Sequence, residues 1–120
     1  MPKQAPESND APPWHVYMVR TAADTLYTGI AVDVDRRFEE HCSGAGRGAK
    51  YLRGRGPLDL VYRCELGERG TAQRVEHALK QLTRADKEGI VAAHPNASAL
   101  LARLALETAE EMAGGSPDVE

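Results

Sequence analysis

Aromatic residues are scarce in this chain. One Trp, one Phe and four Tyr make up 5% of its 120 residues, so Leu, Val and Ala must fill most of any core. Cysteine is scarcer still. Cys42 and Cys64 are too few for a disulfide scaffold and fit a reducing, cytoplasmic compartment. No apolar run approaches the roughly 20 residues that span a bilayer, which excludes a helical membrane protein. The proline-rich start, with Pro2, Pro6, Pro12 and Pro13, lacks the apolar stretch of a signal peptide. Residues 1–13 are expected to form a disordered tail. What remains is one domain's worth of chain with a modest core.

Positive charge is also lacking overall, because the formal net charge is -3. Its distribution is uneven. Residues 36–63 carry Arg36, Arg37, Arg47, Lys50, Arg53, Arg55 and Arg63 against Glu39, Glu40 and Asp59. Residues 94–120 carry Arg103 against Glu107, Glu110, Glu111, Asp118 and Glu120. A basic centre between acidic ends can meet phosphates, or it can be a solvated loop. Composition alone favours the solvated loop.

The pattern predicts α/β architecture: a small, mainly antiparallel three-stranded sheet flanked by helices. Trp14–Arg20 and Thr25–Ala31 read as a hairpin. Period-2 geometry places Trp14, Val16 and Met18 on one face and Tyr17 on the other. It places Leu26, Thr28 and Ile30 opposite Tyr27 and Gly29, so Tyr17 and Tyr27 can meet if the register allows it. Asp33 is a helix N-cap, with Val34, Phe38 and Cys42 as the apolar stripe and Arg37 and His41 beside it. Glycines from Gly44 to Gly56 break regular structure before a third strand, Leu58–Glu65. Gly67–Gly70 is a turn, and Thr71 caps a helix to about Leu82 whose stripe is Val75, Ala78, Leu79 and Leu82. A short helix over 85–93 and an amphipathic helix over 98–112 complete the chain, with 114–120 frayed.

Familiar sites find little support. Gly44, Gly46 and Gly48 lack the spacing of a phosphate-binding P-loop. His41, Cys42, Cys64 and His77 lack paired zinc-ligand spacing. No serine lies in a nucleophile elbow. Tyr17, Tyr27, Gly29, Arg37, His41 and Glu76 remain. Each alone has a plain structural role: a half-buried strand tyrosine, a solvated arginine, or a glutamate paired with Lys80 at i+4.

Together they resemble something specific. His15-Val16-Tyr17 is followed ten residues later by Tyr27-Thr28-Gly29, and then by Asp33-Val34-Asp35-Arg36-Arg37-Phe38-Glu39-Glu40-His41. Further on stand Gly48-Ala49-Lys50-Tyr51-Leu52-Arg53, Pro57-Leu58-Asp59-Leu60-Val61-Tyr62 and Arg74-Val75-Glu76-His77-Ala78-Leu79-Lys80. This order resembles the GIY-YIG nuclease family in its small stand-alone bacterial (UPF0213-like) form. It is also similar to the catalytic module of resolvases that cut branched DNA. The resemblance covers 14–93, leaving 94–120 as a C-terminal helix and tail. The first motif reads His-Val-Tyr rather than Gly-Ile-Tyr. Ile30 stands where some relatives place a lysine, so that lysine's help is absent, and Lys50 or Lys80 are its possible substitutes.

The resemblance implies a metal-dependent endonuclease acting on DNA, on structured or damaged forms of it. It makes Tyr17, Tyr27, Arg37, His41 and Glu76 the catalytic set. Glu76 would hold one Mg2+ or Mn2+ ion, and Arg37 would hold the phosphate. Tyr27 is the first choice of general base, and His41 is its rival or a proton relay to it. Gly29, Arg47, Lys50, Arg53, Arg55 and Lys80 would contact DNA. Two other classes stay open: a nucleic-acid binding module without efficient cleavage, and a subunit active only with a protein partner, docked by the acidic C-terminal helix.

Overall fold

Two β-rich runs separated by a short polar turn close into a hairpin. In the computed structural model, which describes residues 11–43 and 49–106, β1 is Trp14–Arg20 and β2 is Leu26–Ala31. Asp24 takes the left-handed conformation, at φ 69°, that lets Thr21 N–H donate to Thr25 O at 2.9 Å. β3, Asp59–Gly67, pairs antiparallel with the other edge of β1. The sheet order is β2-β1-β3, so β1 is central. The predicted three-stranded antiparallel sheet is present.

β1 alternates between two cores, as the side-chain period of 2 requires. Val16 and Met18, fully buried, join Tyr62 and Cys64 of β3. Against them pack Val75 and Leu79 of α2 (Arg69–Lys80), Ile90 of α3 (Arg84–Ala93) and Leu100 of α4 (Ala97–Arg103). Tyr17 and Val19 face the other way. They meet Val34 of α1 (Val34–Ser43) and Leu52 of a 3-10 turn, Lys50–Leu52. α2, α3 and α4 therefore cover one face, and the candidate site grows on the other, beside α1.

Several boundaries differ from expectation for identifiable reasons. α2 begins at Arg69, two residues before Thr71. Gly67, at φ 91°, ends β3 and turns the chain at once, so Thr71 sits inside the first turn. The stripe of α1 is Val34, Phe38 and His41 rather than Val34, Phe38 and Cys42. His41 is buried and Cys42 is exposed. α4 is capped by Asn96, whose side chain accepts from Ala99 N–H at 2.9 Å, and it stops at Arg103 instead of continuing to 112. There Ala105 adopts φ 58°, and the Leu106 and Ala105 amides donate back to Leu101 O and Ala102 O. That is a Schellman stop, normally signalled by glycine. Residues 1–10 of the expected tail and 107–120 at the C-terminus lie outside the described residues.

An ion-pair cluster fastens α3 to the hairpin. Arg20 donates twice to Glu88, at 2.8 Å each, and once to Asp24 at 2.9 Å. Arg84 bridges the same two carboxylates. The hydrogen bonds from Arg20, opposed by desolvation and reinforced by Arg84, hold the Glu88 carboxyl down to about 2.

Candidate active site

Tyr17 is the centre of the site. Its ring projects from the middle of β1 and is 1% exposed. Tyr17 pairs with Gly29 across the β1–β2 ladder. A Cβ built on Gly29 would lie 2.5 Å from the Tyr17 Oη and 2.7 Å from Cζ. The phenol thus lies across the glycine, in space that any side chain would fill. Gly29 is explained by this packing against Tyr17 rather than by close approach of DNA.

His41 approaches from the last turn of α1. Its Nε2 lies 2.8 Å from the Tyr17 Oη, and its Nδ1 accepts the Ala49 amide at 2.9 Å. The amide fixes the tautomer. With Nδ1 accepting, the proton of neutral His41 resides on Nε2, which donates to Tyr17. Burial, joined by the Arg37 charge and opposed by Glu40, lowers the His41 pKa from its ordinary value. The histidine therefore serves the Tyr17 hydroxyl and not, as a relay, the Tyr27 hydroxyl. Its contact with Tyr27 is ring edge to ring face, at 5.6 Å between centroids.

Arg37, one turn before His41, lies near enough for its charge to act on the Tyr17 hydroxyl. Glu40 holds the guanidinium through a 2.9 Å bond to its Nη1. Burial, then repulsion from Tyr27, pushes the Tyr17 pKa well above the usual phenol range, and the Arg37 charge only partly offsets this. Tyr17 is therefore a protonated phenol at neutral pH. Its oxygen accepts from His41, which leaves its own O–H to donate.

Tyr27 is half-buried beside this centre, with its ring 6.4 Å from that of Tyr17. The register explains the meeting: Val19 faces Tyr27 and Tyr17 faces Gly29, so the two tyrosines are diagonal neighbours on one face. Glu76 arrives from α2, near enough for its charge to raise the Tyr17 pKa, and its Oε2 lies 3.3 Å from Lys80 Nζ. The five residues of the expected catalytic set converge here, and Lys80 joins them through Glu76.

The expected DNA-contacting residues are more dispersed. Lys50, Arg53 and Arg55 are exposed on and after the 3-10 turn. Arg47 lies outside the described residues. Ile30 packs against the core, so no cation follows Gly29. Three contributors went unread in the sequence. Glu40 was visible as an i+3 partner of Arg37. The Ala49 amide carries no side-chain signal at all. Tyr51 offers only its residue type, an aromatic among basic residues.

Among the described residues no three His, Cys, Asp or Glu side chains cluster to hold a metal. Mg2+ or Mn2+ needs no such cluster, because it takes one or two carboxylates and completes its shell with water and phosphate oxygens. The lone, partly buried Glu76 carboxylate fits such an ion.

A family model, the GIY-YIG catalytic domain, matches residues 13–89. The chain belongs to the GIY-YIG family. The matched span runs from just before β1 into α3 and contains all five converging residues. UPF0213 proteins of Yersinia pestis (strain Pestoides F) and Yersinia pseudotuberculosis (serotype O:3, strain YPIII) are each 51% identical over 82 residues, covering 68% of this chain and 84% of theirs. The solution NMR structure of a UPF0213 protein from Bacillus halodurans is 36% identical, with a TM-score of 0.46 over 78% of this chain and 98% of that one. The expected α/β fold is present in the arrangement of strands and helices, and the family match bears out the resemblance. Among the described residues no helix is long and apolar enough to cross a membrane. In α4, Leu100 is fully buried in the core, so the described part of the C-terminal helix packs on the sheet.

Proposed function

We propose that this GIY-YIG protein is a metal-dependent DNA endonuclease that hydrolyses phosphodiester bonds at the Tyr17 centre. One observation carries the reading: the Tyr17 hydroxyl, bonded by His41 and beside the Arg37 charge, shares one face of the sheet with Tyr27 and has Glu76 nearby.

Hydrolysis needs an activated water, a stabilised phosphoryl charge and a neutralised leaving oxygen. Arg37 binds the phosphate, and Glu40 keeps its planar fork in place. Tyr17 donates its O–H to a phosphate oxygen or to the attacking water. Tyr27, as its phenolate, a form that the positive charges of Arg37 and of a bound ion would favour, takes the proton of that water. His41 is poorly suited to do so, because Nδ1 is occupied by the Ala49 amide and Nε2 already carries its proton. His41 instead positions Tyr17. Glu76 would hold a single Mg2+ or Mn2+ ion, which supplies Lewis-acid stabilisation of the leaving oxygen when bound. Lys50, Arg53 and Arg55 grip the backbone, giving salt-sensitive, largely sequence-independent affinity.

The test is cleavage of labelled single-stranded, duplex, flap and four-way-junction DNA with Mg2+, Mn2+ or EDTA. Cleavage that requires metal and is lost in Glu76→Ala is the expected result. Salt-sensitive binding without cleavage of any substrate would overturn it in favour of a binding module. Cleavage that appears only after a protein partner is added would make the chain a subunit.

A further inference from the structure

Among the described residues Tyr51 is the large hydrophobic side chain left exposed, at 43%. Its neighbour Leu52, at 2%, anchors the 3-10 turn in the core, so the exposed ring is not required for that purpose. The ring is nonetheless held in place. It stacks on Tyr27 with a centroid distance of 5.9 Å and an interplanar angle of 17°. Its hydroxyl donates to Thr25 Oγ1 at 3.2 Å. The Arg55 guanidinium lies 4.4 Å from the ring centroid, and Arg55 Nε donates to the Tyr51 carbonyl at 2.5 Å. The backbone around the pair is tied as well. Arg55 N–H donates to Leu52 O, and Ala22 N–H of the hairpin loop donates to Arg55 O at 3.0 Å.

A fixed aromatic plane carrying a planar cation, open to solvent, is what a nucleobase stacks on. Base stacking needs an unpaired base, because a base inside a duplex already has both faces covered. We propose that Tyr51 and Arg55 form a stacking subsite for an unpaired base of the DNA strand being cut. The subsite rests on the nuclease reading for its substrate and adds a preference to it. Tyr27 supports the ring from the side of the active site, so a base seated on the platform brings its own backbone toward Tyr17 and Arg37. Little is lost to ordering on binding, since the platform is already assembled. The favoured substrates are single strands and junctions with unpaired nucleotides, over continuous duplex.

The experiment measures binding without cleavage, in EDTA, using a single-stranded oligonucleotide that carries 2-aminopurine, whose fluorescence is quenched by stacking. Wild type and Tyr51→Phe should quench the probe. Tyr51→Ala should lose the quenching and weaken single-strand binding about 10-fold, while duplex binding changes less than about twofold. Arg55→Ala keeps the ring and should lose part of both effects, which guards against a folding defect in the alanine variant at Tyr51. Quenching unchanged in Tyr51→Ala, or absent in wild type at saturation, would overturn the subsite. A quenched probe with no cleavage of any DNA in the metal assay would sink the nuclease reading and leave the subsite standing.

Discussion

Gly29 lies directly opposite Tyr17 in the β1–β2 ladder, and the phenol of Tyr17 occupies the space where a Cβ would stand. The glycine thereby sets where the hydroxyl sits between His41 and Arg37. Gly29→Ala should push the ring off both partners. A displacement of about 1 Å at a reacting centre costs on the order of 100-fold in rate, and overpacking costs about 1–3 kcal/mol of stability. Single-turnover cleavage and urea unfolding would measure the two. Because both residues share one space, Gly29→Ala should cost much less rate in a Tyr17→Phe background than alone.

The base and its positioning group should separate kinetically. Removing a general base costs about 100- to 10,000-fold, so Tyr27→Phe should nearly abolish cleavage. His41→Ala acts only through Tyr17, so it should add little to the defect of Tyr17→Phe. A large additional loss in the double variant would instead return His41 to the reaction itself.

His41 also sets a pH dependence of stability. Its folded pKa is lowered, by burial first and by Arg37 second. The unfolded chain therefore binds the proton more readily than the native one, near an ordinary value of about 6.5. Stability should be full above that value and fall as pH drops below it toward the folded pKa. Urea midpoints across this window should show a steeper fall for wild type than for His41→Gln. Equal slopes would mean that the histidine titrates alike in both states.

Glu88 acts in a lower window. Its carboxyl is held down to about 2 against an ordinary 4.5 by Arg20, with desolvation opposing and Arg84 assisting. The stability it contributes is present above 4.5 and is lost as pH falls toward 2. The gap in thermal midpoint between wild type and Glu88→Gln should be widest near neutrality and close on acidification. It should also narrow in high salt, since the pair is only partly buried.

Much of this was readable from the residues. Alternation of Val16 and Met18 with Tyr17 and Val19 reported both faces of β1, because period 2 is rigid in a strand. The convergence of Tyr17, Tyr27, Arg37, His41 and Glu76 was legible only through the family resemblance. Their separate spacings could not bring a hairpin, α1 and α2 to one point. The stripe of α1 misled because His41 is buried in place of Cys42. A histidine with both ring nitrogens bonded is cheap to bury, and one of those partners, the Ala49 amide, leaves no mark in composition. The end of α4 misled because alanine stands at the left-handed position where glycine is usual.

β1 carries Tyr17 on a strand with a neighbour on either side. Such a strand cannot fray from an edge. To release Tyr17, both ladders and both cores must open together, which is the opening of the whole fold. The amide protons of β1 should accordingly be the last to exchange with solvent, and the active centre should persist as long as the folded molecule does. Adaptability toward differently shaped DNA must then come from elsewhere, from the exposed cations and the Tyr51–Arg55 turn at the rim, around a centre that does not yield.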